Sequence, residues 1–596
     1  MSNSWFKSLV LAFAASPAVL PLYVILANGI NFPFWDQWDP GISGMFIKAH
    51  EGTLHFSDLF AQHNEHRILV PKLIYLALGT LTHWNTRIEM IAGWVMACGT
   101  SGAVLWLSLK GDRQSSQAKG SVIAIWFLCN ICIFSMSQWE NWLGGVGMVN
   151  VMGGTLLVLT VACATIPRSM VVRVCSAMIL AAAATFTSGS GILCWPLGGI
   201  VLAWSATRDE LWSKRWYLLI WLLGFILTAL LFFYGYQRLP SEPSKNEGFL
   251  GVISYFLIFL GATYGPAMAW EWPNTSLLIG TCLFALYAVS LGYFLYLWRS
   301  RKEFATATKM LIWLVIGAYT ILNGCLAAIM RFQFGSSQAS SSRYATFSMF
   351  LSVALINLIP EICRDLRREP VKSKAAERLW FQVPGMGAAL VVWLHFSTTV
   401  ALIPFVTTSL APRRAMKAAV LLADALPGNA WLRPPGFPAY PGMEDRARAL
   451  SKMGYLQPGM LTTNNAQLIR APESSSEGDG DKWGSIEQVQ LSPDQRNILV
   501  RGWAISSDLE GPAHAVIVTI ENARKEPIMI GFNAVNERRE DVASKKGNSA
   551  YLNSGWTITC AMPALQGLRE IRLAAWSLNT ETGQTYELAG HGLLNR

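Results

Sequence analysis

Charged residues are scarce in this sequence. Only 14% of its 596 residues are Asp, Glu, Lys or Arg, whereas 52% are hydrophobic, and an average soluble domain is about 25% charged. This composition excludes a disordered chain, a collagen-like chain and an ordinary soluble protein. Apolar stretches long enough to cross a bilayer recur between residues 8 and 406. The sequence therefore predicts a polytopic α-helical membrane protein.

Motifs that bind nucleotides are missing as well. There is no GxxxxGKS/T phosphate-binding loop, and GVGMVN at 145–150 lacks the third glycine of a dinucleotide-binding loop. Cysteines are few outside the apolar stretches, since nine of the ten lie in or beside them and only Cys560 lies in the polar tail. We interpret the cysteines as small, buried apolar residues.

The formal net charge of +10 raises the question of nucleic acid binding. The basic residues, however, are spread over short segments between apolar stretches and form no basic patch. In a polytopic protein such an excess is typical of cytoplasmic loops. We therefore expect no nucleic acid partner and use the charge to predict the topology.

Eleven membrane spans are predicted from the apolar runs, at approximately 8–28, 88–109, 120–138, 148–167, 171–188, 190–206, 216–236, 275–298, 310–330, 344–363 and 382–406. One set of alternate loops carries nineteen basic residues, and the other set carries eight. The richer set includes Lys110, Arg173, Lys214, Lys309 and Arg364. The positive-inside rule then predicts a cytoplasmic N-terminus and an extracytoplasmic C-terminal part.

Two further apolar segments are predicted to lie at the membrane surface. Residues 249–272 are apolar enough to span, but a span there would place the basic residues at 299–302 outside. We therefore expect an interfacial helix. Residues 68–83, within the first external loop at 29–87, form a second apolar helix that is too short to span.

The rest of the chain is expected to divide into three parts after the transmembrane domain, residues 1–406. Residues 407–470 combine a helical stretch with a Pro-rich passage and form a connector. Residues 471–482 are rich in Ser, Gly and acidic residues, as linkers are. Residues 483–596 contain short alternating runs separated by turn residues, and this pattern predicts a β-sandwich domain.

Two acids follow the first span directly. Asp36 and Asp39 are framed by Trp35 and Trp38, which we expect at the membrane interface. A carboxylate that is partly desolvated beside aromatic rings is a good proton acceptor. The alternative is that both are ordinary solvated loop acids.

The first loop also contains the motif HNEHRI. His63 and His66 are three residues apart and are expected on one helix face, with Glu65 between them. Metal binding is one interpretation, although the spacing is not that of HExxH. A polar turn before the short apolar helix is the alternative, with Arg67 and Lys72 at the headgroup level, where they could bind lipid phosphate.

Further polar residues occur at the predicted outer ends of later spans. They are Glu140, Arg331, Arg343 and Tyr344. Arginine is scarce on the outer side, so Arg343 at the start of a span suggests bidentate recognition of a phosphate. Interfacial snorkelling of a long side chain is the alternative.

The order of these features resembles the GT-C class of integral-membrane glycosyltransferases, akin to the protein mannosyltransferases and the lipid A aminoarabinose transferases. The features are the early acidic motif WDQWD at 35–39, the helix in HRILVPKLIYLALGTL, the many spans and the Ser-Arg-Tyr start of a late span. The resemblance covers about residues 1–406. Relatives often have adjacent acids, whereas Gln37 follows Asp36 here. It therefore stays open which acid is catalytic and whether a divalent metal takes part.

The resemblance implies an inverting transfer of a sugar from a polyprenyl-phosphate donor to a glycan, lipid or protein acceptor. Asp36, or else Asp39, would accept the proton of the acceptor hydroxyl, and Arg343, with Arg331, Lys72 and Tyr344, would bind the donor phosphate. Residues that would line or support the site are His63, Glu65, His66, Arg67, Glu140, Trp35 and Trp38. The expected location is a bacterial inner membrane, with the β-rich domain in the periplasm and a cell-envelope glycan as product.

Two other functions remain open. A transporter or flippase of lipid-linked glycan would also need many spans and outer basic residues, but it would favour charges in mid-span. A glycan polymerase or ligase is the nearer alternative, and such proteins generally centre their site on a large late external loop.

Overall fold

The computed structural model contains two compact units. It describes residues 4–111, 116–237, 248–268, 271–368, 374–426, 440–472, 481–494, 496–506, 511–522, 524–561 and 570–595. The first unit comprises Met1–Gly29, His55–Ala77 and Arg87–Ile403. The second comprises Ile30–Leu54, Leu78–Thr86 and Pro404–Arg596. The first external loop therefore contributes to both units, and the units are described separately.

Helices build the first unit. Their bounds are Ser4–Ala15, Val19–Asn28, Phe56–Phe60, Leu69–Thr82, Thr86–Gly111, Ser116–Ile133, Trp139–Leu143, Gly147–Thr165, Met170–Thr185, Cys194–Ala203, Arg208–Ser213, Arg215–Phe233, Gly248–Gly261, Trp272–Tyr296, Phe304–Arg331, Ser336–Ala339, Ser342–Arg368 and Lys374–Leu422. Parts of three of these helices belong to the second unit. They are the end of Leu69–Thr82 from Leu78 onward, the first residue of Thr86–Gly111, and the end of Lys374–Leu422 from Pro404 onward.

Ten helical segments within the described residues are long and apolar enough to cross a membrane. They are Lys7–Asn28, Thr86–Lys110, Gly120–Leu143, Gly147–Thr165, Arg215–Phe233, Gly248–Ala267, Trp272–Arg301, Phe304–Phe334, Ser342–Arg368 and Arg378–Leu422. The expectation of a multi-pass α-helical membrane protein is confirmed at this level.

The segments differ from the predicted spans in two places. The predicted spans 171–188 and 190–206 correspond to the shorter apolar helices Met170–Thr185 and Gly189–Ala203. The turn between them is tight, because a Cβ on Gly191 would lie 1.8 Å from the carbonyl oxygen of Ala184. Of the segment 249–272, which was expected at the interface, the part up to Ala267 belongs to a helix and a 3₁₀ turn, Gly248–Ala267, of spanning length.

The loops that are richest in basic residues lie at one end of the first unit. Arg301 donates to Asp365 at 2.7 Å, and Trp204 donates to Thr308 at 2.8 Å. Lys110 donates to the carbonyl oxygen of Thr165. These contacts join the loop at 204 to those at 301 and 365, and the loop at 110 to that at 165. Residues of all five loops line one cavity, so the basic loops are grouped in space.

The described residues of the second unit form eight strands in two antiparallel sheets. The strands are β1 (Gly484–Leu491), β2 (Asn497–Ala504), β3 (Ala515–Glu521), β4 (Pro527–Ala534), β5 (Gly555–Ala561), β6 (Glu570–Asn579), β7 (Gln584–Glu587) and β8 (Gly592–Asn595). One sheet has the order β1-β2-β5, and the other has the order β4-β3-β6-β7, with β8 also paired to β6. The expected β-rich C-terminal region is thus present.

The two sheets share a buried core. Val500 and Ile558 of the first sheet and Val518 and Leu573 of the second belong to one apolar cluster with Trp556. Alternate residues are buried from Asn497 to Gly502 of β2 and from Trp556 to Ala561 of β5, as expected for strands with one face on a core. The expected linker and the Pro-rich passage fall largely on 473–480 and 427–439, which lie outside the described residues.

Part of the first external loop folds within the second unit. The helix Ser43–His50 carries Phe46, whose buried ring lies 4.5 Å from the ring of Trp84 and 5.6 Å from that of Tyr455. Gly79 lets this ring approach, because a Cβ there would lie 2.4 Å from it. The same unit contains the helix Met443–Lys452 and the helix Glu540–Lys546.

Candidate functional site

Arg331 is the last residue of the helix Phe304–Arg331 in the first unit. Its guanidinium donates from Nη2 to Glu65 Oε2 at 2.8 Å and from Nη1 to the hydroxyl of Tyr344 at 3.5 Å. The ring of Tyr344 lies 5.2 Å from that of Phe259. The structure therefore brings together three of the residues that the sequence singled out, and it adds Phe259, which no sequence signal distinguished from a core aromatic residue.

Arg343 forms a second, looser ion pair. Its Nε lies 3.8 Å from Oε2 of Glu140, which is beyond hydrogen-bond distance. This carboxylate oxygen is buried and accepts no hydrogen bond within the described part of the chain. A buried acceptor without a donor is costly and rare. A hydrogen-bond donor on a ligand would therefore stabilise this oxygen of Glu140.

A network of buried amides and hydroxyls fixes the position of Arg343. Asn141 donates to the carbonyl oxygen of Arg343 at 3.3 Å and to the hydroxyl of Thr346 at 2.6 Å. Thr346 donates to Gln138 at 2.8 Å, and Asn150 donates to Asn141 at 2.9 Å. A fully bonded network of this kind is rigid, so the start of this helix is held firmly beside Glu140. Sequence reasoning missed this network.

His63 and His66 lie on a tight turn and not on a helix face, so the predicted helix was wrong. Their backbones exchange hydrogen bonds of 2.8 and 2.9 Å, and Asn64 between them has φ of +48°. His66 Nδ1 accepts from the backbone N–H of Gly189 at 3.0 Å. Burial lowers the pKa of His66 to about 4, with the charge of Arg331 acting in the same direction. The imidazole is therefore neutral at pH 7.

The described residues offer no preformed set of metal ligands. Within the described ranges, no group of three or more His, Cys, Asp and Glu side chains is arranged to hold a metal ion. The hydrogen bond from Gly189 also occupies Nδ1 of His66. No step of the chemistry is therefore assigned to a metal.

Lys72 and Arg67 were expected at the level of the lipid headgroups. In the structure, both side chains donate hydrogen bonds to backbone carbonyl oxygens. Lys72 is 1% exposed, and its Nζ donates to the carbonyl oxygens of Asp58 at 2.9 Å and Ala61 at 3.4 Å. Arg67 is also buried and donates to the carbonyl oxygens of three residues, which are Phe60, Phe232 and Tyr234. Both side chains therefore hold loop backbone in place.

Asp36 and Asp39 belong to the second unit, on and after the 3₁₀ turn Trp35–Trp38. Both are half-buried. The hydroxyl of Tyr440 donates to Asp36 Oδ1 at 3.0 Å, whereas Asp39 Oδ1 accepts the backbone N–H of Gly41 at 2.7 Å. Asp39 thus closes a local turn, and Asp36 contacts a hydroxyl 404 residues away in the chain.

Trp38 and Gln37 are core residues of this unit. Trp38 is 0% exposed, with its indole N–H donating to the carbonyl oxygen of Pro33 at 2.7 Å, so its expected place at the membrane interface was wrong. Trp35 is half-buried and has φ of +54°. Gln37 is buried, and its side-chain oxygen accepts the N–H of Phe34 at 3.0 Å. An uncharged amide suits this position, which explains why an acid does not follow Asp36.

Arg446 is a further residue that the sequence did not single out. It donates to the carbonyl oxygen of Trp38 at 2.7 Å and to the hydroxyl of Ser43 at 2.9 Å. Burial lowers the pKa of Arg446, and the charge of Asp39 opposes this effect. The guanidinium stays charged and holds the turn that carries Asp36.

Comparison of the chain with protein-family models, with curated proteins and with solved structures gave no match.

Proposed function

We propose that the chain is a membrane glycosyltransferase of the GT-C type that uses a polyprenyl-phosphate sugar as donor. The observation that supports this proposal is the pair of arginines at one end of the first unit, Arg331 on Glu65 at 2.8 Å and Arg343 beside Glu140 at 3.8 Å. Guanidinium groups bind phosphate oxygens bidentately. Both side chains are partly exposed, so an incoming phosphate can compete for them.

Arg343 is the better candidate for the leaving phosphate. Its side chain is 42% exposed, so an incoming phosphate can reach the guanidinium. As the bond between the anomeric carbon and the phosphate oxygen breaks, negative charge grows on the phosphate. A fixed cation stabilises that charge more in the transition state than in the ground state.

Asp36 is the proposed proton acceptor, with Asp39 as second choice. The acceptor oxygen attacks the anomeric carbon, its proton passes to the carboxylate, and polyprenyl phosphate leaves from the opposite face with inversion. The contact of Asp36 with Tyr440 supports this choice over Asp39, whose carboxylate closes a turn. Glu140, with its unsatisfied oxygen, is the alternative base in the first unit.

For the topology, we propose that Met170–Thr185 and Gly189–Ala203 cross the membrane and that Gly248–Ala267 does not. Tyr255 donates to Gln338 at 3.0 Å, and Thr263 donates to the carbonyl oxygen of Ala345 at 3.1 Å. Gln338 precedes the helix Ser342–Arg368 and Ala345 lies in its first turn, so both contacts support a segment that stays near this end of the helix. With this topology the N-terminus is cytoplasmic, and the two-sheet region lies in the periplasm of a bacterial cell.

Incubation of the purified protein with a panel of polyprenyl-phosphate sugars tests the proposal. Release of polyprenyl phosphate, together with transfer of the sugar to a glycan, lipid or protein acceptor, is the expected result. Movement of an intact lipid-linked glycan across a vesicle membrane, without cleavage, would instead show a flippase. Chain extension of a lipid-linked glycan would show a polymerase or ligase.

A further inference from the structure

His395 is an ionisable residue within a helical segment that is long and apolar enough to cross a membrane. It lies in Arg378–Leu422, in the part of that segment that belongs to the first unit, and its side chain is 4% exposed. Ionisable side chains inside membrane-spanning segments are rare and usually have a functional role. The glycosyl transfer proposed above does not use His395, so this residue calls for a separate explanation.

One of the two ring nitrogens of His395 has a partner, and the other has none within the described part of the chain. Nδ1 lies 3.1 Å from Oγ of Ser135, whereas Nε2 is buried and forms no hydrogen bond. In a neutral imidazole one nitrogen donates and the other accepts, and in the charged form both donate. Nε2 is therefore an unsatisfied donor or acceptor in every protonation state of the ring.

The neighbours of His395 are held by hydrogen bonds of their own. The ring of Tyr264 meets the imidazole edge to face, with the ring centroids 4.9 Å apart, and its hydroxyl donates to Oγ of Ser352 at 3.0 Å. Oγ of Ser135 lies 2.9 Å from Oγ of Ser137. Neither Tyr264 nor Ser135 can turn toward Nε2 without losing one of these contacts.

Thr398 places a second unsatisfied polar atom on the same face of the helix. The residue is 0% exposed, and its Oγ1 forms no hydrogen bond with the described residues. Thr398 follows His395 by three residues, and side chains with this spacing have Cβ atoms about 5–6 Å apart. Two hydrogen bonds of about 2.9 Å span such a gap. One small molecule can therefore bond to Nε2 and to Oγ1 at once.

A neighbouring helix adds two further atoms of this kind. Thr275 and Ser276 are both 0% exposed, and their side-chain oxygens have no hydrogen-bond partner in the described part of the chain. Ile279, one turn further along, shares an apolar cluster with Leu394, the residue before His395. Four polar atoms without a partner thus lie on two helix faces that meet at one cluster.

The chemistry of these four atoms favours water as their partner. They comprise one imidazole nitrogen and three hydroxyl oxygens. A hydroxyl both donates and accepts hydrogen bonds, and a water molecule can complement either role. Buried water molecules typically make about three hydrogen bonds to polar groups that the protein itself leaves unsatisfied. The short gap between His395 and Thr398 also suits a molecule of this size.

We propose that the first unit encloses a water-binding site in which an ordered water molecule bridges Nε2 of His395 and Oγ1 of Thr398. The hydroxyls of Thr275 and Ser276 extend the site to a second water molecule. The hydrocarbon core of a bilayer offers no hydrogen-bond partners to such groups, so the bound water is what satisfies them. The site does not depend on the activity proposed above.

Solid-state NMR of the full-length protein in lipid vesicles tests the proposal. With 15N-labelled histidine, magnetisation is transferred from water protons to the imidazole nitrogens over a short mixing time. The signal of His395 is identified as the one that is lost in His395→Asn. It is expected to receive magnetisation from water, as the signal of the exposed His55 does. Absence of transfer to His395, with transfer to His55 intact, would overturn the proposal.

Matched variants locate the water. Thr398→Val keeps the shape of the side chain and removes its hydroxyl, so most of the transfer to His395 should be lost, whereas Thr398→Ser should retain it. Thr399→Val is the control, because the hydroxyl of Thr399 already donates to the carbonyl oxygen of His395 at 2.8 Å. Equal transfer in wild type and in Thr398→Val would overturn the proposed bridge. The wild-type measurement decides the proposal even if a variant does not fold.

Discussion

Oε2 of Glu140 lies 3.8 Å from Nε of Arg343 and accepts no hydrogen bond from the described residues. The backbone around this pair is fixed, because Asn141 bonds to Arg343 and Ser342 accepts the N–H of Glu140 at 3.1 Å. A guanidinium group that is partly exposed on a rigid backbone is suited to receive an anionic ligand. This pair is therefore the part of the first unit on which the proposed chemistry depends most.

Arg343→Gln should lower kcat/KM for the sugar donor by about 10²–10³-fold, the loss typical for removal of a group that stabilises developing charge. Arg343→Lys should recover little of this activity, because an ammonium group cannot bind phosphate oxygens bidentately. Steady-state kinetics with the polyprenyl-phosphate donor provide the measurement, with Arg215→Gln as a control. Wild-type kinetics in Arg343→Gln would show that this arginine does not contact the phosphate.

The neutral state of His66 should make the stability of the protein depend on pH. Burial lowers the pKa of His66 in the folded state to about 4, below the unfolded value of 6.5. As the pH falls from about 6.5 to 4, the unfolded chain takes up a proton that the folded chain does not, so the free energy of unfolding decreases. His66→Asn should flatten this part of the pH profile of thermal unfolding. His55→Asn, at an exposed position, is the control for the loss of a histidine.

Lys72 should contribute to stability and not to donor binding. Lys72→Gln should lower the free energy of unfolding by about 1–3 kcal/mol, because the carbonyl oxygens of Asp58 and Ala61 lose the charged donor that the buried lysine supplies. The KM for the donor, measured on the folded fraction, should not change. Lys48→Gln, at an exposed position, is the control. A raised KM with unchanged stability would mean that Lys72 binds the donor phosphate.

The proposed topology predicts the side on which the C-terminal part lies. A reporter that is active only in the periplasm, fused after residue 410, should be active. The same reporter after residue 302, at the end of the helix Trp272–Tyr296 and its following turn, should be inactive. An active reporter after residue 302 together with an inactive one after residue 410 would mean that the segment Gly248–Ala267 crosses the membrane.

Some elements could be predicted from the sequence because their cause is local. The apolar run at 68–83 forms the helix Leu69–Thr82, and the alternating run NILVRGWAI contains β2. Apolar periodicity and alternation depend on neighbouring residues alone. The grouping of basic loops was predictable for a related reason, since loop charge follows the order of the spans.

The surroundings of single polar residues could not be predicted in this way. Arg67 bonds to the carbonyl oxygen of Phe232, which is 165 residues away, and Tyr440 bonds to Asp36 across 404 residues. Such contacts arise from tertiary packing, which leaves no periodic pattern in the sequence. For the same reason Trp38 resembled an interfacial residue in sequence, although it is a buried core residue in the fold.

The most direct test of the proposed chemistry is a comparison of wild type with Asp36→Asn in an assay of polyprenyl phosphate released from a polyprenyl-phosphate sugar. Asparagine has nearly the same shape as aspartate and can still accept the hydrogen bond from Tyr440, so the protein should fold and express normally. Wild type is expected to release polyprenyl phosphate and to transfer the sugar with inversion, and Asp36→Asn is expected to do neither. Full release by both Asp36→Asn and Asp39→Asn would contradict the mechanism.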